Sequence, residues 1–220
     1  MTTVFPDEVR CGVCDVVNTI MVVGSTSSFG ASDLDTRPPE LARSTISSWV
    51  QRCEGCGHCA SDLTEPRSQA ASTVREAGYQ RQLADETYPQ LARSFLCRAM
   101  IEERAADLRA ASWSTVYAAW ASDDAREQTA ADLCRGKALD MIHRASAAGQ
   151  RMVDDVDVEV AIRVDLLRRA GRHDDALALI AERLPTVRTP VIAKILRFQR
   201  GWAGKRDRAV YKVSDAEDAS

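Results

Sequence analysis

Four cysteines occur in two closely spaced pairs, and this spacing suits the binding of a metal ion. Cys11 and Cys14 form one Cys-x-x-Cys pair, and Cys53 and Cys56 form the other. Such a pair, joined by residues that permit a tight turn, directs two sulfur atoms towards one point. Two pairs supply the four thiolates of a closed tetrahedral site. The sequence therefore predicts one structural zinc ion per chain, bound by these four cysteines.

The second pair continues into a third cysteine, which leaves alternatives open. Residues 53–59 read Cys-Glu-Gly-Cys-Gly-His-Cys, and such a triplet can hold three corners of an iron–sulfur cluster. A thiol-redox site is another alternative, and Cys59 could replace Cys56 as a metal ligand. Zinc is favoured because two Cys-x-x-Cys pairs leave no open coordination position. We expect His58 to be an exposed turn residue or to support a thiolate.

The composition is that of an ordinary globular protein. Of the 220 residues, 45% are hydrophobic and 28% are charged, and no apolar run is long enough to cross a membrane. The first residues do not have the apolar segment of a secretory signal. Seven cysteines in a chain that is not exported indicate a reducing compartment, where paired cysteines bind metals rather than form disulfides. We therefore predict a cytoplasmic protein.

The residues around the cysteine pairs favour short strands. The β-branched run at residues 16–23 predicts a strand, and residues 46–52 predict a second strand that leads into the second pair. The two pairs are separated by 38 residues, which exceeds the usual zinc-ribbon spacing of about 15–20 residues. Residues 33–37 form an unusually polar loop in this insertion. We expect an ion pair of Arg37 to fix the loop against the junction between ribbon and helices.

From Pro66 onwards the pattern becomes helical. Residues 87–90, Thr-Tyr-Pro-Gln, resemble a capping box that opens a helix, and the aromatic side chains of residues 113–120 recur at helical spacing. Residues 122–124, Ser-Asp-Asp, are expected to end this helix and to cap the next one. A later helix is expected over about residues 157–170, with acidic residues at its positive amino-terminal end.

A repeated motif indicates helical hairpins near the end of the chain. Gly-Arg-His-Asp-Asp-Ala at residues 171–176 recurs 33 residues later as Gly-Lys-Arg-Asp-Arg-Ala at residues 204–209. Glycine ends the first helix of a hairpin and alanine lets the second helix pack closely, as in tetratricopeptide (TPR) repeats of about 34 residues. We predict a mainly α protein, with a zinc-ribbon-like β module (1–65), a TPR-like antiparallel helical array (66–213) and an acidic tail (214–220).

Several of these motifs, in this order, resemble an uncharacterised bacterial family. The segments that carry the resemblance are CGVC, FGASDLDTRPPELARSTISSWVQ, CEGCGHCA and AAWASDD. They are similar to the domain-of-unknown-function family numbered 2225, which joins a zinc-ribbon-like amino-terminal part to TPR-like helices. The resemblance implies the same two-part architecture and implies that Cys11, Cys14, Cys53 and Cys56 are the metal ligands. It implies no activity, because the family has none assigned.

The remaining polar residues do not form a catalytic arrangement. The sequence has no glycine-rich phosphate loop and no paired nucleophile and base, so we predict that the protein is not an enzyme. TPR-like hairpins usually bind an extended peptide or a helix in their groove. We therefore expect a cytosolic scaffold or adaptor that binds a protein or peptide partner.

A strongly basic segment suggests what this partner is. Residues 186–212 carry eight basic residues and one acidic residue, whereas residues 1–65 have a net charge of −5. We expect Lys194, Arg197 and Arg200 to contact an acidic protein segment. Nucleic-acid binding by the basic helices is the alternative, which we expect to be weak because the acidic ribbon would repel a phosphate backbone.

Overall fold

The computed structural model describes residues 1–219 and shows small β hairpins followed by an array of helices. An antiparallel hairpin, β1 (Thr3–Arg10) with β2 (Val17–Ser25), precedes a 3₁₀ helix (Arg43–Ser48) and a short hairpin, β3 (Gln51–Arg52) with β4 (Cys59–Ala60). The helices are α1 (Ala70–Thr73), α2 (Ala77–Ala84), α3 (Gln90–Arg104), α4 (Leu108–Asp124), α5 (Gln128–Ala147), α6 (Val156–Arg169), α7 (His173–Arg183), α8 (Pro190–Gly204) and α9 (Val213–Asp218). The predicted fold class, mainly α with a small amino-terminal β module, is confirmed.

Helices α3, α4 and α5 form the most closely packed part of the array. Their alanines explain the close approach, because alanine favours helix and adds little bulk between neighbouring backbones. Ala119 of α4 and Ala138 of α5 are fully buried, as is Phe95 of α3. Trp120 adds a large buried side chain beside them. This packing provides the rigid base against which the amino-terminal loop lies.

The two copies of the repeated motif have different structures. Gly171 adopts a φ of +78° at the end of α6, and Ala176 is buried in α7, so the first copy is a helical hairpin as predicted. The second copy is not a hairpin, because Ala209 is exposed and lies in non-helical chain. This chain instead pairs with the amino-terminal loop. Leu34 N donates to Tyr211 O at 3.0 Å, and Val213 N donates to Ser32 O at 2.9 Å.

The polar loop at residues 33–37 lies against the helices and not at the junction with the ribbon, which corrects the predicted position. The predicted ion pair of Arg37 is present, and its partner is Asp124 of α4 at 2.6 Å. Asp35 is fully buried and accepts hydrogen bonds from Trp120 Nε1 at 2.7 Å and from Arg169 Nη1 at 2.9 Å. Arg169 of α6 therefore joins the loop to the centre of the array.

A second aspartate extends this buried contact. Asp123 accepts from Arg169 Nη2 at 2.6 Å and from Arg135 Nη2 at 2.5 Å, and both arginines are almost fully buried. We call Asp35, Trp120, Asp123, Arg135 and Arg169 the Asp35 network. The network joins the inserted loop to α4, α5 and α6. Asp123 forms ion pairs in it and is not the helix cap that was predicted.

Three local predictions differ from the structure. Residues 46–52 form the end of the 3₁₀ helix and the two-residue strand β3, not one continuous strand. Pro89 is the residue before α3, and no side chain caps this helix, so the predicted capping box is absent there. Part of the acidic tail forms the short helix α9, in which Ala216 is buried.

His173, the first residue of α7, is expected to make the protein sensitive to mild acid. Burial lowers the pKa of His173, and the nearby Arg206 and Arg208 lower it further. Because the folded pKa lies below the unfolded value of about 6.5, the stabilisation is complete above this pH and is lost as the pH falls through the folded pKa. Urea unfolding between about pH 7.5 and 5.5 should show a smaller loss of stability for His173→Gln than for the wild type. Equal losses would contradict this assignment.

Candidate metal centre

The first cysteine pair lies in a tight turn at the end of β1. Cys11 N donates to Val16 O at 2.9 Å, and Asp15 N donates to Cys11 O at 2.8 Å, so the chain closes on itself between β1 and β2. A Cβ on Gly12 would lie 2.5 Å from Pro66 Cδ and 2.8 Å from Thr64 O. The small residue between the cysteines therefore allows the segment before α1 to pack directly on the turn.

The second cysteine pair lies in the turn between β3 and β4. Cys53 N donates to His58 O at 2.8 Å, and Gly57 N donates to Cys53 O at 3.0 Å. Gly57 has a φ of +74°, and a Cβ there would collide with the side chain of Leu83. This position therefore requires glycine for both its backbone conformation and its contact with α2.

The two turns bring the four predicted ligands together. The Sγ atoms of Cys11, Cys14, Cys53 and Cys56 all lie within 4.8 Å of one another, with 3.5 Å between Cys14 and Cys53 and 3.9 Å between Cys11 and Cys56. A tetrahedron with zinc–sulfur bonds of about 2.3 Å has sulfur–sulfur edges of about 3.8 Å. A disulfide would require about 2.05 Å. The geometry therefore fits a four-thiolate metal site and not a pair of disulfides.

Asn18 of β2, whose role was not evident from the sequence, connects the two turns. This residue is buried; its Nδ2 lies 3.6 Å from Cys53 Sγ, and its Oδ1 accepts from Glu54 N at 2.8 Å. Hydrogen bonds of this kind orient a thiolate and stabilise its charge. The only sign of this role in the sequence is a single amide side chain within a strand of mostly β-branched and apolar residues.

His58 and Cys59 are both fully buried, and they have different roles. His58 Nδ1 lies 3.7 Å from Cys11 Sγ, so this residue supports a thiolate and is not the exposed turn residue that was the alternative. Cys59 Sγ instead lies 3.4 Å from Gly57 O, and Tyr79 Oη donates to the same carbonyl at 2.8 Å. Cys59 belongs to the main hydrophobic core and lies outside the four-sulfur cluster.

The cysteine thiols differ in acidity when no cation is present. Burial raises the pKa of Cys11 and of Cys56. Burial also acts to raise the pKa of Cys53, but hydrogen bonds from Cys56 N and from Cys14 outweigh it and bring the pKa to about 7. Protons therefore remain on part of the cluster at neutral pH, and a bound cation would displace them.

The three predicted partner-binding residues are all on α8 but face different surroundings. Lys194 and Arg197 line a groove of about 480 Å³ between α8 and α9, together with Phe198, Trp202 and Lys205. Arg200 is exposed but does not line this groove. The structure thus places two of the predicted residues at one concave surface and separates the third from it.

Comparison of the chain with family models, with curated proteins and with solved structures found no match. Within residues 1–219, no helix is both long enough and apolar enough to span a membrane.

Proposed function

We propose that the protein is a zinc-stabilised scaffold that binds an acidic peptide segment of a partner protein in the α8 groove. The zinc ion would be structural and would be held by Cys11, Cys14, Cys53 and Cys56. The spacing of the four sulfur atoms is the observation that supports zinc. An iron–sulfur cluster places inorganic sulfide and further iron between its cysteines, and so needs sulfur atoms that are farther apart.

The lining of the α8 groove supports an acidic ligand with an apolar anchor. Lys194, Arg197 and Lys205 contribute three positive charges, and the Nζ of Lys205 lies 4.4 Å from the centre of the Trp202 ring. The Trp202 ring stacks on Tyr211 with centroids 4.7 Å apart, which holds it in place. A carboxylate would pair with the cations while an apolar side chain contacts the ring.

A peptide display experiment tests the groove. A library of random peptides is selected against the zinc-loaded full chain, and one enriched peptide is synthesised for fluorescence anisotropy. We expect enriched peptides to combine acidic and apolar residues. Lys194→Glu with Arg197→Glu should weaken binding at least about tenfold, because the ligand would meet two negative charges in place of two positive ones.

Arg200→Glu is the matched control, since it reverses a charge on the same helix outside the groove. It should leave peptide affinity within about a factor of three. Selection of peptides without acidic residues, or equal weakening by the control, would contradict the proposal. Binding of single-stranded RNA that is tighter than peptide binding and falls log-linearly with salt would favour the nucleic-acid alternative instead.

A further inference from the structure

Within residues 1–219, β1 and β2 pair with no further strand along their outer edges, and only β1 has features that prevent such pairing. Strand β1 contains a proline and three charged residues, namely Pro6, Asp7, Glu8 and Arg10. Strand β2, Val-Asn-Thr-Ile-Met-Val-Val-Gly-Ser, has no charged residue and no proline. Natural proteins usually protect an exposed strand edge with charge or proline, because an open edge pairs with other strands. The edge of β2 is therefore suited to pairing.

The pattern of hydrogen bonds shows which backbone groups of β2 are available. Cys11 and Val16 form a hydrogen-bonded pair next to the hairpin, and such pairs alternate with non-hydrogen-bonded pairs along an antiparallel ladder. Met21 lies opposite Pro6 in a non-hydrogen-bonded pair, so its N–H points away from β1. Among residues 1–219, the 3₁₀ helix at residues 43–48 approaches β2, but no segment other than β1 pairs with this strand.

Apolar side chains next to this edge are also uncovered. Met21 is 53% exposed and Val17 is 49% exposed, and these residues lie on one face of the strand. A two-stranded hairpin on its own is marginally stable in water, and a third strand usually stabilises it. The hairpin would therefore gain both hydrogen bonds and apolar contacts from an added strand.

We propose that β2 pairs antiparallel with β2 of a second copy of this chain, with a two-fold axis at Ile20. This register places Val17 opposite Val23 of the second copy and Thr19 opposite Met21 of the second copy. These are β-branched and apolar pairs, which stabilise sheets, and no like charges face each other. A two-fold contact requires a surface that complements itself, and an uncharged antiparallel strand meets this requirement.

Charge does not oppose a second copy in this arrangement. The four strands would run β1, β2, β2 and β1, so the acidic residues of the two β1 strands would lie at opposite edges. With strands about 4.8 Å apart, these residues are separated by about 14 Å, which exceeds the screening length of about 8 Å at physiological salt. The acidic amino-terminal module therefore does not oppose its own pairing. Since the contact is small, we expect a reversible, concentration-dependent dimer.

Sedimentation velocity of the zinc-loaded full chain tests the dimer over about 1–500 µM. The wild type should shift from the chain mass of 24.1 kDa towards twice this mass. Met21→Pro removes an outward N–H, and Thr19→Lys places a charge opposite Met21 of the second copy, next to the axis, so both should weaken the dimer at least about tenfold. Zinc content identifies any variant that fails to fold. If Met21→Pro fails to fold, Thr19→Lys still provides the test.

Val4→Lys is the matched control, because Val4 is similarly exposed on the same hairpin but lies on the protected strand. It should dimerise like the wild type, and hydrogen exchange at Thr19 and Met21 should slow as the dimer forms. A wild type that stays at the mass of one chain at every concentration would overturn the proposal. Loss of the dimer in Val4→Lys, or its persistence in a folded Thr19→Lys variant, would overturn it as well.

Discussion

Cys53→Ser is expected to remove the metal and to unfold the module formed by β1 to β4. Cys53 Sγ lies 3.5 Å from Cys14 Sγ, and serine cannot replace a thiolate in a four-sulfur site. Structural zinc contributes on the order of 10 kcal/mol to the folding of small zinc modules, and the hydrophobic cluster around these cysteines is small. Metal analysis should show about one zinc per wild-type chain and almost none in the variant, and circular dichroism should report the loss of structure.

Cys59→Ser is the control within the same turn. Because Cys59 lies in the helical core and outside the four-sulfur cluster, this variant should retain about one zinc per chain. It should lose some stability, since oxygen is smaller than sulfur and would leave this buried site less well filled. Iron with acid-labile sulfide in the wild type, or loss of zinc from Cys59→Ser with retention in Cys53→Ser, would contradict the assigned ligands.

Asp35→Ala is expected to destabilise the helical array by about 3–5 kcal/mol, because it removes one carboxylate of a buried ion-pair network and leaves two buried N–H donors without their acceptor. Asp35 is fully buried, and its Oδ2 accepts from both Arg169 and Trp120. After the substitution, Arg169 keeps Asp123 but loses its contact with the loop. Urea unfolding followed by tryptophan fluorescence measures the change in free energy of unfolding.

Asp154→Ala is the matched control for this experiment. Asp154 pairs with Arg109 at 2.8 Å, but both side chains are largely exposed. Exposed ion pairs contribute about 0–1 kcal/mol, so this variant should be almost as stable as the wild type. A loss of less than about 1 kcal/mol for Asp35→Ala would show that the Asp35 network does not hold the loop on the array.

The clustering of the four cysteines could be predicted because its geometry depends on short-range spacing. Each Cys-x-x-Cys pair forms its own turn, so two turns on one module are enough to bring four sulfurs together. The strand β2 was predictable for a similar reason, since its β-branched composition is local. Asn18 was not predictable, because its role depends on the second turn, which is 35 residues away in the chain.

The end of the helical array was mispredicted because local signals were incomplete. Several helices end in a left-handed residue that is not glycine, such as Ala106 after α3, Arg126 after α4 and Arg206 after α8. Glycine marks this conformation in a sequence, and alanine or arginine does not. Conversely, Gly204 predicted a hairpin that does not form. The chain after it satisfies its backbone groups by pairing with residues 32–34, a long-range choice that no local pattern reveals.

The pairing of residues 32–34 with residues 211–213 has a consequence for how the chain folds. An open array of helical repeats can grow from one end, because each unit contacts only its neighbours. Here the hydrogen bonds of Asp35 connect the inserted loop to Trp120, 85 residues away in the chain, and to Arg169, 134 residues away. The loop therefore cannot dock until α4 and α6 are available. Such contacts of high sequence separation slow folding. During synthesis, the loop would stay unanchored until α6 and the segment before α9 have left the ribosome, while the two cysteine turns, which lie earlier in the chain, can already come together.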